Sequence, residues 1–193
     1  MRCAALCLLL GCACFAATTH AAPQRGFPTF CGRELIDLKT LTDPRRKLVD
    51  FRPRATTVGA INARPMPRPT PRVRTAGFER QLWEVVAEIT EYRLLPNGDL
   101  ELILFDKGSY MNAAMPSPVC LSSHALQRGS MIQTRQFFEG RCGAATGQWR
   151  SLGAVAYVDG VGLWAVPHAQ KGHARNYAEL HPVTGMRFVS GCA

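Results

Sequence analysis

The chain has 193 residues with 23 Lys and Arg against 14 Asp and Glu, a net charge of +9, and 47% hydrophobic residues. That is enough for one domain with its own core and for appended segments, and too hydrophobic a composition for a wholly disordered chain. No segment reaches the ~20 apolar residues of a membrane-spanning helix.

Met1-Arg2 precedes an uncharged run, Cys3 to Ala17, and then Thr18-Thr19-His20-Ala21. A basic start, an apolar centre and small residues at the end are the marks of a signal peptide over residues 1–21. A second reading takes Leu9-Leu10-Gly11-Cys12 as a lipobox, with Cys12 as the acylated residue. Cleavage after Ala21 leaves Cys31, Cys120, Cys142 and Cys192, an even set that an oxidising compartment would pair. Three pairings are open; Cys120 with Cys142 and Cys31 with Cys192 is preferred, the first bracketing a helix and the second fastening the arm to the chain end. A zinc knuckle lacks its closely spaced cysteines.

Residues 22–80 read as an irregular arm and a basic, proline-rich linker. Between Pro44 and Arg80 stand ten basic and two acidic residues, a surplus of +8, whereas from Gln81 onward nine bases face nine acids. The charge therefore belongs to the arm and not to the domain. The prolines at 65, 67, 69 and 71 favour an extended, solvated chain, read either as a stiff tether or as a strap for an anionic surface. No aromatic side chain lies between Arg52 and Gly77, so base stacking is missing and specific nucleic-acid binding is not expected. Leu35, Leu38 and Leu41 recur at spacing three, as in a short helical turn or a packed arm.

Residues 81–193 form the expected domain. From Leu82 to Tyr92 the residues alternate, with Trp83, Val85, Ala87, Ile89 and Glu91 on one face. Pro96-Asn97-Gly98-Asp99 turns the chain, and Leu100 to Phe105 returns as the more buried partner. Ser109 to Met115 reads as a third strand stopped by Pro116 and Pro118. Ser122 to Gly140 reads as a helix, Leu152 to Ala165 as a long strand bent or turned at Asp159-Gly160, and Tyr177 to Val183 with Met186 to Val189 as closing strands. This order predicts a mainly β fold: a five-stranded OB-like Greek-key barrel with one helix between strands three and four. The competing topology is a small β-sandwich with one helix outside.

Lys39-Thr40-Leu41-Thr42-Asp43-Pro44, Trp83 with the strand from Asp99 to Asp106, Met115-Pro116-Ser117-Pro118-Val119-Cys120, Gly160-Val161-Gly162 leading to His168, and Glu179-Leu180-His181-Pro182-Val183 together resemble a family of small exported bacterial proteins usually labelled hypothetical. The resemblance implies one compact fold and an exported location; it implies no activity.

Pro167 to Pro182 holds three histidines, a carboxylate and two cations. His168, Lys171, His173, Arg175 and Asn176 are the expected ligand-binding residues, with an envelope oligosaccharide, peptide or protein as partner. The alternative is a secreted metal-dependent hydrolase or nuclease using His168, His173 and His181. His168 and His173 are five apart, flanked by Pro167 and Gly172, and so do not share a helix face as paired zinc histidines do. A third reading has these polar groups bonding one another and pinning a loop across the barrel mouth. Asp99 and Glu101 share a strand face beside the Asn-Gly turn, where a solvated edge is expected. No nucleophile elbow, phosphate-cradling loop or dinucleotide fingerprint is present. The expectation is a monomeric binding module without a cofactor or catalytic residues.

Overall fold

The computed structural model describes residues 29–192; the signal segment and Cys12 lie outside them. In chain order the elements are α1 (Ile36–Lys39), β1 (Asp50–Thr56), α2 (Val58–Asn62), β2 (Gln81–Leu94), β3 (Leu100–Asp106), β4 (Ser109–Met115), α3 (Arg128–Cys142), β5 (Arg150–Trp164) and β6 (Ala178–Ser190). The fold is mainly β. One mixed sheet runs β1-β2-β3-β4-β6-β5, and β5 pairs back onto β2, so five of the six strands close a ring. Two contacts are parallel, β1 with β2 and β4 with β6; the others are antiparallel. Closure leaves only β1 as an exposed edge, and Pro53 sits there, where a missing N–H costs no ladder bond.

The core follows from alternation. Trp83, Val85, Ala87 and Ile89 of β2 point inward with Leu100, Leu102 and Leu104 of β3 and Met111, Ala113 and Met115 of β4. The alternation then shifts, contrary to the expectation for Glu91. Both neighbours of β2 change register between Ile89 and Glu91, a bulge that turns Tyr92 into the core and Glu91 out of it. The buried Tyr92 hydroxyl donates to Cys142 O at 2.7 Å, tying β2 to the end of α3. The Asn-Gly turn forms as expected: Gly98 has φ +80°, and Leu95 and Asp99 close the turn with an N–H···O bond of 2.8 Å.

Several boundaries differ from expectation. The helix starts at Arg128 and not near Ser122, because Gln127 has φ 56° and a left-handed residue cannot continue an α-helix inward from Ser122. Strand β5 continues through Asp159-Gly160 without a turn, but its register against β6 shifts there, and the two closing runs are one strand, β6.

The arm is the larger correction. It is neither a tether nor outside the sheet. Leu41 and Val49 pack with Leu82 and Val161, while Leu35 and Leu38 pack with Leu163. Arg74 is 0% exposed. Its guanidinium donates to Asp43 Oδ2 at 2.9 and 3.2 Å, to Leu38 O at 2.9 Å and to Glu79 O at 2.8 Å. Glu79 is itself buried, accepting from Thr75 N, Thr75 Oγ1 and Trp164 N. The Arg64 guanidinium lies 4.5 Å from the centre of the Trp83 ring. A cation with matched acceptors can be buried; charge counting alone had assigned it to solvent.

The disulfides are Cys31–Cys120 and Cys142–Cys192, which corrects the preferred pairing. A fifteen-residue helix is about 22 Å long, and Cys142 ends α3 while Cys120 precedes it. The segment from Cys120 to Arg128 does not run back along the helix; Cys120 stays beside the Asn-Gly turn, its Sγ 3.9 Å from Asn97 O. Instead the last turn of α3 lies beside β6, where Phe137 stacks on Phe188 at 5.7 Å, and Cys192 follows.

Candidate ligand pocket

Strands that alternate present a second face, and here that face is also buried. On β3 the outward residues are Glu101 and Ile103, on β4 Asn112 and Ala114, on β6 Glu179 and His181. The connection between β5 and β6, residues 165–177, folds over them. Its closest approach is at Gly172, whose φ is +71° and where an added Cβ would lie 2.5 Å from Ile103 Cγ2. Only glycine fits that crossing.

Beneath and beside the connection is a cavity of about 240 Å³, lined among others by Asp99, Glu101, Asn112, Glu179, His181 and His168. Asp99 (3% exposed), Glu101 (2%), Asn112 (2%), Glu179 (8%) and His181 (3%) are all buried. The expected solvated edge at Asp99 and Glu101 is thus a correction: the connection and the arm cover it.

The cluster is held by a defined network. Glu101 Oε2 accepts from Arg93 Nε at 2.8 Å, and Glu101 Oε1 accepts from Asn112 Nδ2 at 3.2 Å. The same Asn112 amide donates to Lys171 O at 3.0 Å. Asp99 Oδ1 accepts from Ser117 N at 2.9 Å and Oδ2 from Asn97 Nδ2 at 2.7 Å. His181 stands between two carboxylates, with Nε2 at 3.6 Å from Asp99 Oδ2 and Nδ1 at 3.6 Å from Glu179 Oε2. His168 Nε2 is 3.0 Å from Glu179 Oε1.

These surroundings separate the acids electrostatically. Burial pushes the Glu101 carboxyl above its ordinary value, and Arg93 only partly offsets it. Burial also acts upward on Glu179, but the bonds from His168 and His181 outweigh it and hold that carboxyl at about 2. Among the described residues seven buried side-chain polar atoms have no hydrogen-bond partner, and two of them, His181 Nε2 and Asn112 Oδ1, belong to this cluster. Buried polar groups are rarely left so.

Of the expected ligand residues, His168 lines this cavity, and Lys171 O accepts from Asn112 Nδ2 without lining it. The Lys171 ammonium pairs with Glu91. His173 stacks on Tyr177 at 5.3 Å and its Nδ1 lies 2.8 Å from Gln170 O. With Arg175 it lines a different cavity, of about 430 Å³, beside Asn62 and Tyr110. Asn176 is a structural staple, its Nδ2 donating to Ile61 O at 2.8 Å and Arg64 O at 3.0 Å. Of the three histidines of the metal reading, His168 and His173 meet edge to face, with ring centroids 5.7 Å apart, and His168 and His181 share Glu179. Among the described residues no group of three or more His, Cys, Asp or Glu is arranged to hold a metal ion. Sequence reasoning missed Asp99, Glu101, Asn112 and Glu179 as one cluster. The signal was a single polar residue at an alternating position inside otherwise apolar strands.

No family model matches the chain. No curated protein matches it either. Among solved structures, a crystal structure assigned as an aspartyl-tRNA synthetase from Leishmania major Friedlin aligns over 74% of this chain and 22% of that one, at 11% identity and a TM-score of 0.43. The chain thus spans about a fifth of that protein's length, and a likeness this distant bears on neither activity nor partners.

Proposed function

We propose that the sheet ring is an OB-like barrel and that the protein is an exported, non-enzymatic binding module whose ligand seat is the cavity over β3, β4 and β6. The observation that carries this reading is the buried polar cluster on the outer face of those strands, with Asn112 Oδ1 and His181 Nε2 unpartnered. Burying an unpaired polar group costs about 1–3 kcal/mol, a cost that a ligand donor at Asn112 Oδ1 would remove.

The position supports it. Setting β1 aside, the ring strands in chain order are β2, β3, β4, β5 and β6, with α3 between the third and fourth. In OB-folds the face of strands two and three, with the loops after strands one and four, takes the ligand. Those strands are β3 and β4 here, and those loops carry Asn97 and His168. Export is supported by the expected leader over residues 1–21 and by two disulfides, which suit an oxidising compartment.

The test is a titration of short oligosaccharides and peptides into wild type and His168→Ala, followed by NMR and by assay of the recovered compounds. A ligand that shifts pocket resonances, is recovered intact and is lost with His168→Ala is the expected outcome. Chelator-sensitive cleavage of any of them would contradict a binding module and favour a hydrolase.

A further inference from the structure

The chemistry of the cavity restricts what can occupy it. Asn112 Nδ2 donates to two groups that only accept, Glu101 Oε1 and Lys171 O, which fixes the amide's orientation. Its Oδ1 is therefore an acceptor, buried and without a donor, on a residue that lines the cavity. Around it stand Asp99, Glu101, Glu179 and, at the rim, Glu34, against the cations Arg93 and Lys39. Counting only carboxylates against Lys and Arg, the formal balance is two negative charges. An anionic ligand would meet carboxylates, and a neutral one would leave the surplus in place.

Beside Asn97 and Gln170, the rest of the wall is aliphatic. Leu95, Ala114, Ala165 and Val166 line the same cavity, and no aromatic ring other than the histidines does. A base or a sugar ring would have nothing flat to stack on. A hydrocarbon stem would have a dry wall.

We propose that the cavity binds a primary ammonium carried on a flexible aliphatic stem, the group shared by free diamines and by the lysine side chain of a peptide. The ammonium brings three N–H donors to Asn112 Oδ1 and the Asp99 and Glu101 carboxylates, and the stem lies along Leu95, Ala114, Ala165 and Val166. The inference rests on the binding-module reading for the cavity's being a ligand seat, and adds its ligand class. Lys39 lines the cavity as well, and among the described residues its ammonium forms no ion pair. It acts as a repelling neighbour of the incoming cation.

Calorimetric titration of the mature protein at neutral pH and low ionic strength tests this, with 1,5-diaminopentane, Nα-acetyl-lysine methylamide and 1,5-pentanediol as probes. Both amines should bind and the diol should not. Glu101→Gln should weaken the amines about tenfold or more, and Lys39→Ala should tighten them severalfold. If Glu101→Gln does not fold, Lys39→Ala, at a partly exposed helix position, carries the comparison alone. The tighter of the two amines identifies the source, free diamine or peptide lysine. Equal binding of the diol, absence of binding by both amines, or weaker amine binding by Lys39→Ala would each overturn the ammonium while leaving the cavity open to a neutral ligand. Chelator-sensitive breakdown of a bound compound would instead overturn the binding-module reading.

Discussion

Arg74 joins three parts of the arm through one guanidinium, reaching Asp43, Leu38 O and Glu79 O. Truncating it leaves Asp43 buried without its cation, so Arg74→Ala should destabilise the protein by about 3–5 kcal/mol in urea unfolding. A loss below about 1 kcal/mol would mean that solvent reaches the site. Glu179 gives a second residue-scale expectation, with a definite sign. Its folded value, about 2, lies below the ordinary 4.5, so the ionised form is the one the fold favours. Its contribution is complete above pH 4.5 and is lost as pH falls toward 2, amounting to about 3 kcal/mol at 1.36 kcal/mol per unit. Glu179→Gln should flatten stability across that window. Glu101, raised by burial, acts with the opposite sign: its contribution is present at low pH and lost as pH rises through its folded value. A wild-type acid limb no steeper than that of Glu179→Gln would show that the histidines do not hold Glu179.

At the scale of elements, the hairpin of β2 and β3 and the strand β4 were legible because alternation and an Asn-Gly turn are local signals. The bulge at Thr90 was not, since it is set by two neighbouring strands at once. The arm was misread for a related reason. Composition records how many charges a segment carries, but not whether a buried acceptor set awaits one of them, and Arg74 meets such a set only after folding. The consequence is measurable. Deleting residues 52–75 removes most of β1, all of α2 and Arg74, and should lower the melting temperature by about 10 °C or more. An unchanged melting temperature would return the segment to the role of a tether. The disulfide pairing is checked by mass spectrometry of an unreduced digest, where Cys31 should be found with Cys120 and Cys142 with Cys192. Removing the second bridge, which spans 50 residues, should cost roughly 4 kcal/mol on the chain-entropy account.

At the scale of the molecule, the sheet ring converts four scattered residues into one place. Asp99 ends a turn, Glu101 and Asn112 sit on adjacent strands, and Glu179 lies on the last strand. Strand order alone makes β3, β4 and β6 neighbours. The sequence marked the region around His168 as polar and suspicious, and His168 and His181 do meet there. It also grouped His173, Arg175 and Asn176 with them by proximity along the chain; His173 does meet His168, 5.7 Å between ring centroids, while also lining the second cavity with Arg175, and Asn176 bonds Ile61 O and Arg64 O. Adjacency in sequence was an incomplete guide inside a connection that spans the face of the sheet ring. The most direct measurement is a two-dimensional NMR titration of the mature protein with Nα-acetyl-lysine methylamide, following the Asn112 side-chain amide and the His168 and His181 rings. Movement of these signals together, with those of α2 and Asn176 stationary, is the expected result. Stationary pocket signals while those at α2 move would contradict a ligand seat on the β3, β4 and β6 face.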